Sequence, residues 1–379
     1  MCRPLSLALL LCLTPSLAAQ EIPVNAEVRA QAAELGITLP ATIPADWQAI
    51  PVPTPNPPAS GSMAPWPTID WSVSTPAAQN MDPQLLLQGF QYGINQNSRA
   101  IVVIRNGYIV GEWYAQGWDQ NTRQTGYSMA KSVTSALVGM AVAQGDIPSI
   151  HDSVSNWVTN WQDPEHAPVT VRDLLAMESG LHWDFISDYI IMPSRRNQSA
   201  FAISQGMDHT PGTRWVYHNM GVQVLSETLK KATGKQPHRY AIPLGKTIGM
   251  WNATWMLDQA GNTLTYQSVI ASAREFAKFG YLFLRQGSWD GQQPIPASWI
   301  AESTQPSQAL NPFYGYLWWL NTGGLEMADV PADAYYAAGL GEKRIYVIPS
   351  QDLLVVRLGE GAGNWDDNAF LGPISQSAF

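Results

Sequence analysis

The amino-acid sequence predicts an α+β fold in which an antiparallel sheet, flanked by helices, is formed from both chain ends and a central, mainly helical lobe is inserted between its two halves. Three observations carry this expectation. Asn106-Gly107 joins the runs Ala100 to Arg105 and Tyr108 to Trp113, and Asn-Gly between two such runs is a strong hairpin signal. Near the other end, Lys343 to Ile348 and Leu353 to Leu358 flank Pro349-Ser350-Gln351-Asp352, a second hairpin. Between these two places the punctuation is helical.

Taken in order, residues 1–19 read as a secretory signal: Arg3, the apolar run Leu5 to Leu13, then small residues at Ser16, Ala18 and Ala19. The run is short for a bilayer span. Cleavage near Ala18 or Ala19 would remove Cys2 and Cys12, the two cysteines of the chain, leaving no disulfide, thiolate nucleophile or cysteine-bound zinc. Cys12 follows Leu11 rather than a small residue, which speaks against a lipid anchor. A periplasmic or secreted protein with no membrane segment after cleavage is expected, the alternative being an uncleaved anchor.

Residues 20–80 read as an N-terminal arm laid over the enzyme surface, with a short helix over Ala26 to Leu35. Pro40 to Pro67 carries nine of the 28 prolines and favours extended polyproline geometry. Residues 81–379 read as one folded unit, its helical lobe spanning roughly 145–260, and a helix near Pro83 to Tyr92 opens it. Thr170 caps a helix through Val171 to Met177, with Asp173 at the capping-box position and Ser179-Gly180 as the stop. Asn219 precedes a helix carrying Val222, Leu225 and Leu229 on one face, and Gly234 follows its end. Ser272-x-x-Glu275 opens another over Arg274 to Arg285, with Phe276, Phe279 and Phe283 on its buried side.

The chain's 379 residues are 45% hydrophobic, ample for a sizeable core, and only 13% charged. Twenty-one Lys and Arg against 30 Asp and Glu give a net charge of −9, and there is no basic tract, so charge-driven binding of nucleic acid or anionic membrane is excluded.

The most informative spacing is Tyr127-Ser128-Met129-Ala130-Lys131, which opens a long, nearly charge-free helix up to Gly145. Ser128 falls at the helix N-terminus and Lys131, three residues on, shares its face. Burial in so apolar a helix lowers a lysine pKa, so its amine can accept a proton and Ser128 becomes a plausible nucleophile. The plainer alternative is a capping serine beside a lysine snorkelling to water. Tyr217-His218-Asn219 is a second candidate: Tyr217 could act as base and then acid, and Asn219 could orient a substrate carbonyl or Lys131, against the alternative of a core tyrosine and a helix cap. Ala338-Gly339-Leu340-Gly341, just before a C-terminal strand, could bring a backbone N–H to an oxyanion hole shared with Ser128, or be only a turn.

Together and in this order, these motifs resemble the serine β-lactamase and penicillin-binding-protein superfamily, closest to the class C-like branch with esterases and 6-aminohexanoate-dimer hydrolases. Val171 to Leu181, the Pro-Gly-Thr before Tyr217 and Ala271 to Gly287 are similar to that family too, and the likeness runs from about Met81 to the C-terminus. The resemblance implies a β-lactamase-like fold and a serine hydrolase, cleaving a small ester or amide through an acyl-enzyme without metal or cofactor. It implies Ser128 as nucleophile, Lys131 as its partner base, Tyr217 as general acid/base, and the N–H groups of Ser128 and Leu340, on Gly339's turn, as oxyanion hole. Where penicillin-active members carry Lys-Thr-Gly, this chain reads Ala337-Ala338-Gly339, so a β-lactam carboxylate finds no cation or hydroxyl there, and no glutamate loop of class A type is present. Asp184 to Tyr189 could border the acyl pocket, with Tyr189 a candidate substrate contact, or be a surface loop.

Two rivals remain. Gly126-Tyr127-Ser128-Met129-Ala130 approximates an α/β-hydrolase elbow, but the polar Asp119 to Thr125 stands where its strand belongs, and no histidine looks placed at the end of a late strand. A catalytically idle member binding peptidoglycan or glycan would suit the 16 tryptophans but has no need of a buried amine beside a hydroxyl. No HExxH or carboxylate–histidine cluster suggests a metal.

Overall fold

The computed structural model describes residues 21–23, 26–34, 36–44, 65–361 and 363–379. Residues 1–19, read above as a signal, and most of the proline-rich stretch lie outside these residues. Strands β1 (Glu21–Pro23) and β2 (Thr42–Pro44) pair antiparallel, and helix α1 (Ala26–Glu34) lies between them in sequence.

The central sheet has six strands: β3 (Ser98–Arg105), β4 (Tyr108–Tyr114), β8 (Trp319–Leu320), β9 (Tyr335–Gly339), β10 (Lys343–Ile348) and β11 (Leu353–Gly359). Their order is β4-β3-β11-β10-β9-β8, antiparallel throughout. The two halves, far apart in sequence, join where β3 meets β11, with Val102 opposite Val356 and Ile104 opposite Leu354. Both hairpins read from the sequence are present, Asn106 and Gly107 supplying the positive φ their turn requires.

Helices cover both faces. On one side α2 (Pro83–Asn95) packs with the C-terminal α12 (Asp367–Gln376), which is why the helix near Pro83 is needed to close the sheet. On the other side lies α10 (Ala273–Leu284), whose Ser272/Glu275 capping box forms as expected. Gly280 of α10 lets the helix sit directly on the sheet, since a β-carbon there would fall 2.5 Å from Leu354 and 2.6 Å from Ile345.

Between the halves of the sheet run α3 (Met129–Gln144), α4 (Val171–Leu175), α5 (Met192–Ser194), α6 (Gln198–Ile203), α7 (Asn219–Thr233), α8 (Pro237–Tyr240), α9 (Ile242–Ile248) and, after α10, α11 (Ala297–Ser303). A small antiparallel sheet of β5 (Arg123–Thr125), β6 (Thr254–Trp255) and β7 (Val269–Ser272) stands beside them. α3 is buried on nearly every side. Its polar Ser132 and Thr134 are therefore satisfied internally, each donating at 2.7 Å to the carbonyls of Leu317 and Thr265.

Two elements differ from expectation. α4 ends at Leu175 rather than Met177: Met177 takes a left-handed φ of 62°, which frees its carbonyl to accept from Val216 N at 2.9 Å. The stretch 186–191 is not a loop but a single π-helix turn (Ile186–Ile191), anchored by Asp184 accepting from Ser187 N at 2.9 Å.

Candidate active site

The nucleophile position is made by three converging backbones. Gly126 N donates to Val269 O at 2.7 Å and Ser268 N to Tyr127 O at 3.2 Å, so β7 and its approach hold the chain on both sides of Tyr127. Tyr127 itself sits at φ 45°, a costly conformation for an aromatic residue, and this sharp entry sets Ser128 at the start of α3. Ser128 already has right-handed helical angles and its Oγ makes no capping bond. A serine that does not cap has its hydroxyl free for another partner.

That partner is Lys131. Its Nζ is 3.0 Å from Ser128 Oγ, 2.7 Å from Asn219 Oδ1 and 3.0 Å from the Tyr266 carbonyl. Lys131 is buried, not snorkelling, and desolvation pushes its ammonium well below the ordinary lysine range, against an opposing pull from Asp188. A neutral amine has two N–H donors and one lone pair. As an ammonium Lys131 donates to all three; in the neutral form Asn219 Oδ1 and Tyr266 O can take only N–H, which would leave the lone pair to the Ser128 hydroxyl.

Tyr217 completes the cluster from the other lobe. Its ring lies 4.7 Å from Lys131 Nζ, and Ser128 acts on its phenol, pulling the pKa down against burial. Burial raises the phenol pKa far above its usual value, so it stays protonated. Trp215, Tyr314 and Trp319 enclose its ring, Trp319 stacked at 5.8 Å. Its backbone N–H donates to Gln31 Oε1 of α1 at 2.9 Å, so the N-terminal arm reaches the site.

Gly339 brings β9 against the nucleophile segment: a β-carbon there would fall 2.1 Å from Gly126 O. Leu340 follows with an exposed side chain, and its carbonyl accepts from the buried Lys343 Nζ at 3.0 Å. Tyr189, on the π-turn, stacks on Phe185 at 5.0 Å. The structure thus joins Ser128, Lys131 and Asn219 by hydrogen bonds, lays the Tyr217 ring beside the Lys131 amine, and brings Gly339 against the approach to Ser128.

Two contributors escaped the sequence reading. Tyr266 acts through its carbonyl, which no residue type reveals. Asp188 is fully buried and accepts the N–H groups of Asn219 at 3.1 Å and Met220 at 2.8 Å, capping α7 from a distant segment. The residues on either side of it, Ser187 and Tyr189, gave no hint of that tie.

The sequence profile of the Beta-lactamase family matches residues 91–370. The chain belongs to that family. An uncharacterized protein of Alkalihalophilus pseudofirmus is 23% identical over 318 residues, covering 74% of this chain and 89% of that one. Among solved structures, a proposed 6-aminohexanoate-dimer hydrolase from Bacillus anthracis superposes with a TM-score of 0.67 at 18% identity, over 83% of this chain and 88% of the other. A penicillin-binding-protein homologue from Caulobacter crescentus gives 0.63 at 14% identity over 80% and 97%. A family VIII carboxylesterase gives 0.64 at 17% over 81% and 98%. These likenesses fix the fold as that of the serine β-lactamase and penicillin-binding-protein superfamily. The α/β-hydrolase alternative falls with them: β5, which leads into Ser128, belongs to the small antiparallel sheet and not to a central parallel one.

Proposed function

We propose that this β-lactamase-family hydrolase cleaves a carboxylic ester or amide through an acyl-enzyme on Ser128. The observation that carries the reading is the Lys131 amine, held by two fixed acceptors with Ser128 Oγ at 3.0 Å. In this reading Lys131 takes the Ser128 proton as Oγ bonds to the substrate carbonyl carbon, and the N–H groups of Ser128 and Leu340 hold the oxyanion. Tyr217, kept protonated by burial, gives its proton to the departing alcohol or amine and is recharged from the Lys131 ammonium. Water then attacks the acyl group, its proton returns to the Lys131–Tyr217 pair, and the C–Oγ bond breaks with Ser128 reprotonated.

The substrate is read as having an apolar acyl part. Trp215, Tyr217, Tyr314 and Trp319 form a buried aromatic group at the site, and the π-turn that carries Asp188 under Asn219 also carries the Phe185–Tyr189 stack with Phe185, Ile186 and Ile190 exposed. β-Lactams are disfavoured: Ala337, Ala338 and Gly339 offer no carboxylate partner, and Lys343 is spent on the carbonyls of Leu340 and Gly359. Export to the periplasm or medium rests on residues 1–19; amino-terminal sequencing of the mature protein beginning near Gln20 would bear it out, an intact Met1 would refute it.

The deciding experiment is p-nitrophenyl butyrate hydrolysis by wild type and by Ser128→Ala with its folding verified. Wild-type activity that falls to background in the variant supports the reading. Activity that survives removes Ser128 as nucleophile. Inactivity of wild type on esters and on amides alike favours the idle glycan-binding alternative.

A further inference from the structure

We infer that Asp188 is a positioning residue for this site: a buried carboxylate that clamps the N-terminus of α7, keeps the Asn219 amide on Lys131, and supplies the negative charge that balances the protons of Lys131 and Tyr217. The inference rests on the acyl-enzyme reading above.

The geometry is specific. Asp188 has no solvent exposure; burial pushes its carboxyl up to about 6 against the N–H groups of Met220 and Asn219 and the Lys131 ammonium, so above that pH it carries a charge that water does not screen. Its two oxygens divide the labour, Oδ2 accepting from Asn219 N at 3.1 Å and Oδ1 from Met220 N at 2.8 Å. Asn219 is therefore gripped by its backbone while its side-chain oxygen accepts from Lys131 Nζ at 2.7 Å. One covalent residue separates the carboxylate's grip from the amine, and the α7 N-terminus favours a negative group there. The π-turn of 186–191 is what delivers Asp188 inward while Ile186 and Ile190 on the same turn face solvent.

The charged surroundings leave Asp188 with a single cationic neighbour of consequence. His218 Nε2 is 3.7 Å from Oδ1, but burial pushes that imidazole down to about 3, so it is neutral. Lys131 of α3 is the group whose ammonium Asp188 favours. Tyr217 and Tyr266 are phenols kept protonated chiefly by burial, with the Asp188 charge a lesser push in the same direction. Further out, His182 and Asp208 act on His218, Asp258 on Tyr266 and Arg344 on Tyr217. Removing the Asp188 charge should therefore release the proton of Lys131 and of Tyr217 at lower pH, both in the same direction.

The test compares Asp188→Asn, Asp188→Glu and wild type by the pH dependence of kcat/KM on p-nitrophenyl butyrate and by the pH dependence of Ser128 labelling with a fluorophosphonate, followed by mass. Asp188→Asn keeps the shape and one acceptor but no charge. The expected result is the acid limb of the profile, which follows Lys131, displaced to lower pH by roughly one unit, with lowered kcat. Asp188→Glu, which keeps the charge on a longer arm, should lose kcat with its limbs in place. A profile unmoved in a folded Asp188→Asn, or moved equally by Asp188→Glu, would overturn the inference and leave Asp188 a helix cap. If wild type neither turns over substrate nor takes the label, the acyl-enzyme reading fails and this inference with it.

Discussion

Two buried lysines flank the Ser128 segment, and only one has a hydroxyl beside its nitrogen. Lys131 opens α3; Lys343 opens β10, on the other side of Ser128, with its Nζ 5.0 Å from the Tyr127 ring. Each is about 1% exposed, and desolvation pulls both ammonium groups down, to about 7 for Lys131 and about 8 for Lys343. The difference is in what faces the nitrogen. Lys343 donates to two carbonyls, Leu340 O at 3.0 Å and Gly359 O at 2.6 Å, and an acceptor-only partner has no proton to give. Lys131 has two such partners and, third, a hydroxyl. Burial makes an amine available; a hydroxyl on its lone pair makes it a base.

The largest expected effect separates the two directly. Lys131→Met should lower kcat/KM on p-nitrophenyl butyrate by ~10³-fold or more, as loss of a base acting with its nucleophile does. Equal losses in Lys131→Met and Lys343→Met would erase the distinction. Tyr217→Phe should cost on the order of 10²-fold, and more with an alkyl ester than with a p-nitrophenyl ester, because a nitrophenolate leaves without being protonated. A loss independent of leaving group would remove the acid role. Lys343→Met should cost only about tenfold, less than deletion of a whole oxyanion donor, because it loosens the turn bearing the Leu340 N–H without removing that donor.

Smaller still is the effect of the outer aromatic wall. Phe185→Ala should reduce the preference for octanoate over acetate esters by several-fold, with the rate on acetate nearly unchanged. An unchanged chain-length profile would place the acyl group elsewhere. Stability should also record the two lysines. Each is harder to protonate folded than unfolded, so the unfolded chain binds more protons between the folded value and the free-lysine value near 10.5. Measured against its Met variant, the wild type should therefore gain thermal stability as pH rises, from about 7 for Lys131 and about 8 for Lys343, up to about 10.5. Stability falling with pH over those intervals would contradict the buried, uncharged amines.

Much of this was legible because the signals are local. An Asn-Gly turn, a Ser-x-x-Glu capping box and a lysine three residues past a serine act over one turn of chain, and each is found where its residues stand. Asp184 to Tyr189 was less legible. Its residues allowed a pocket wall or a surface loop, and neither reading contained what the fold adds: the N–H groups opening α7 hold Asp188 inward from 31 residues away. The reach of the arm to Tyr217 through Gln31 is likewise a contact across 186 residues.

What the sequence by itself determined is the folding pattern and the Ser128–Lys131 pairing, since hairpins, caps and that pair depend on neighbours along the chain. What only the tertiary structure decided is which acceptors hold the Lys131 amine and which buried amine has a hydroxyl in reach. Those depend on a carbonyl from Tyr266, an amide from Asn219 and a carboxylate from Asp188, brought together by packing from segments 31 to 135 residues apart.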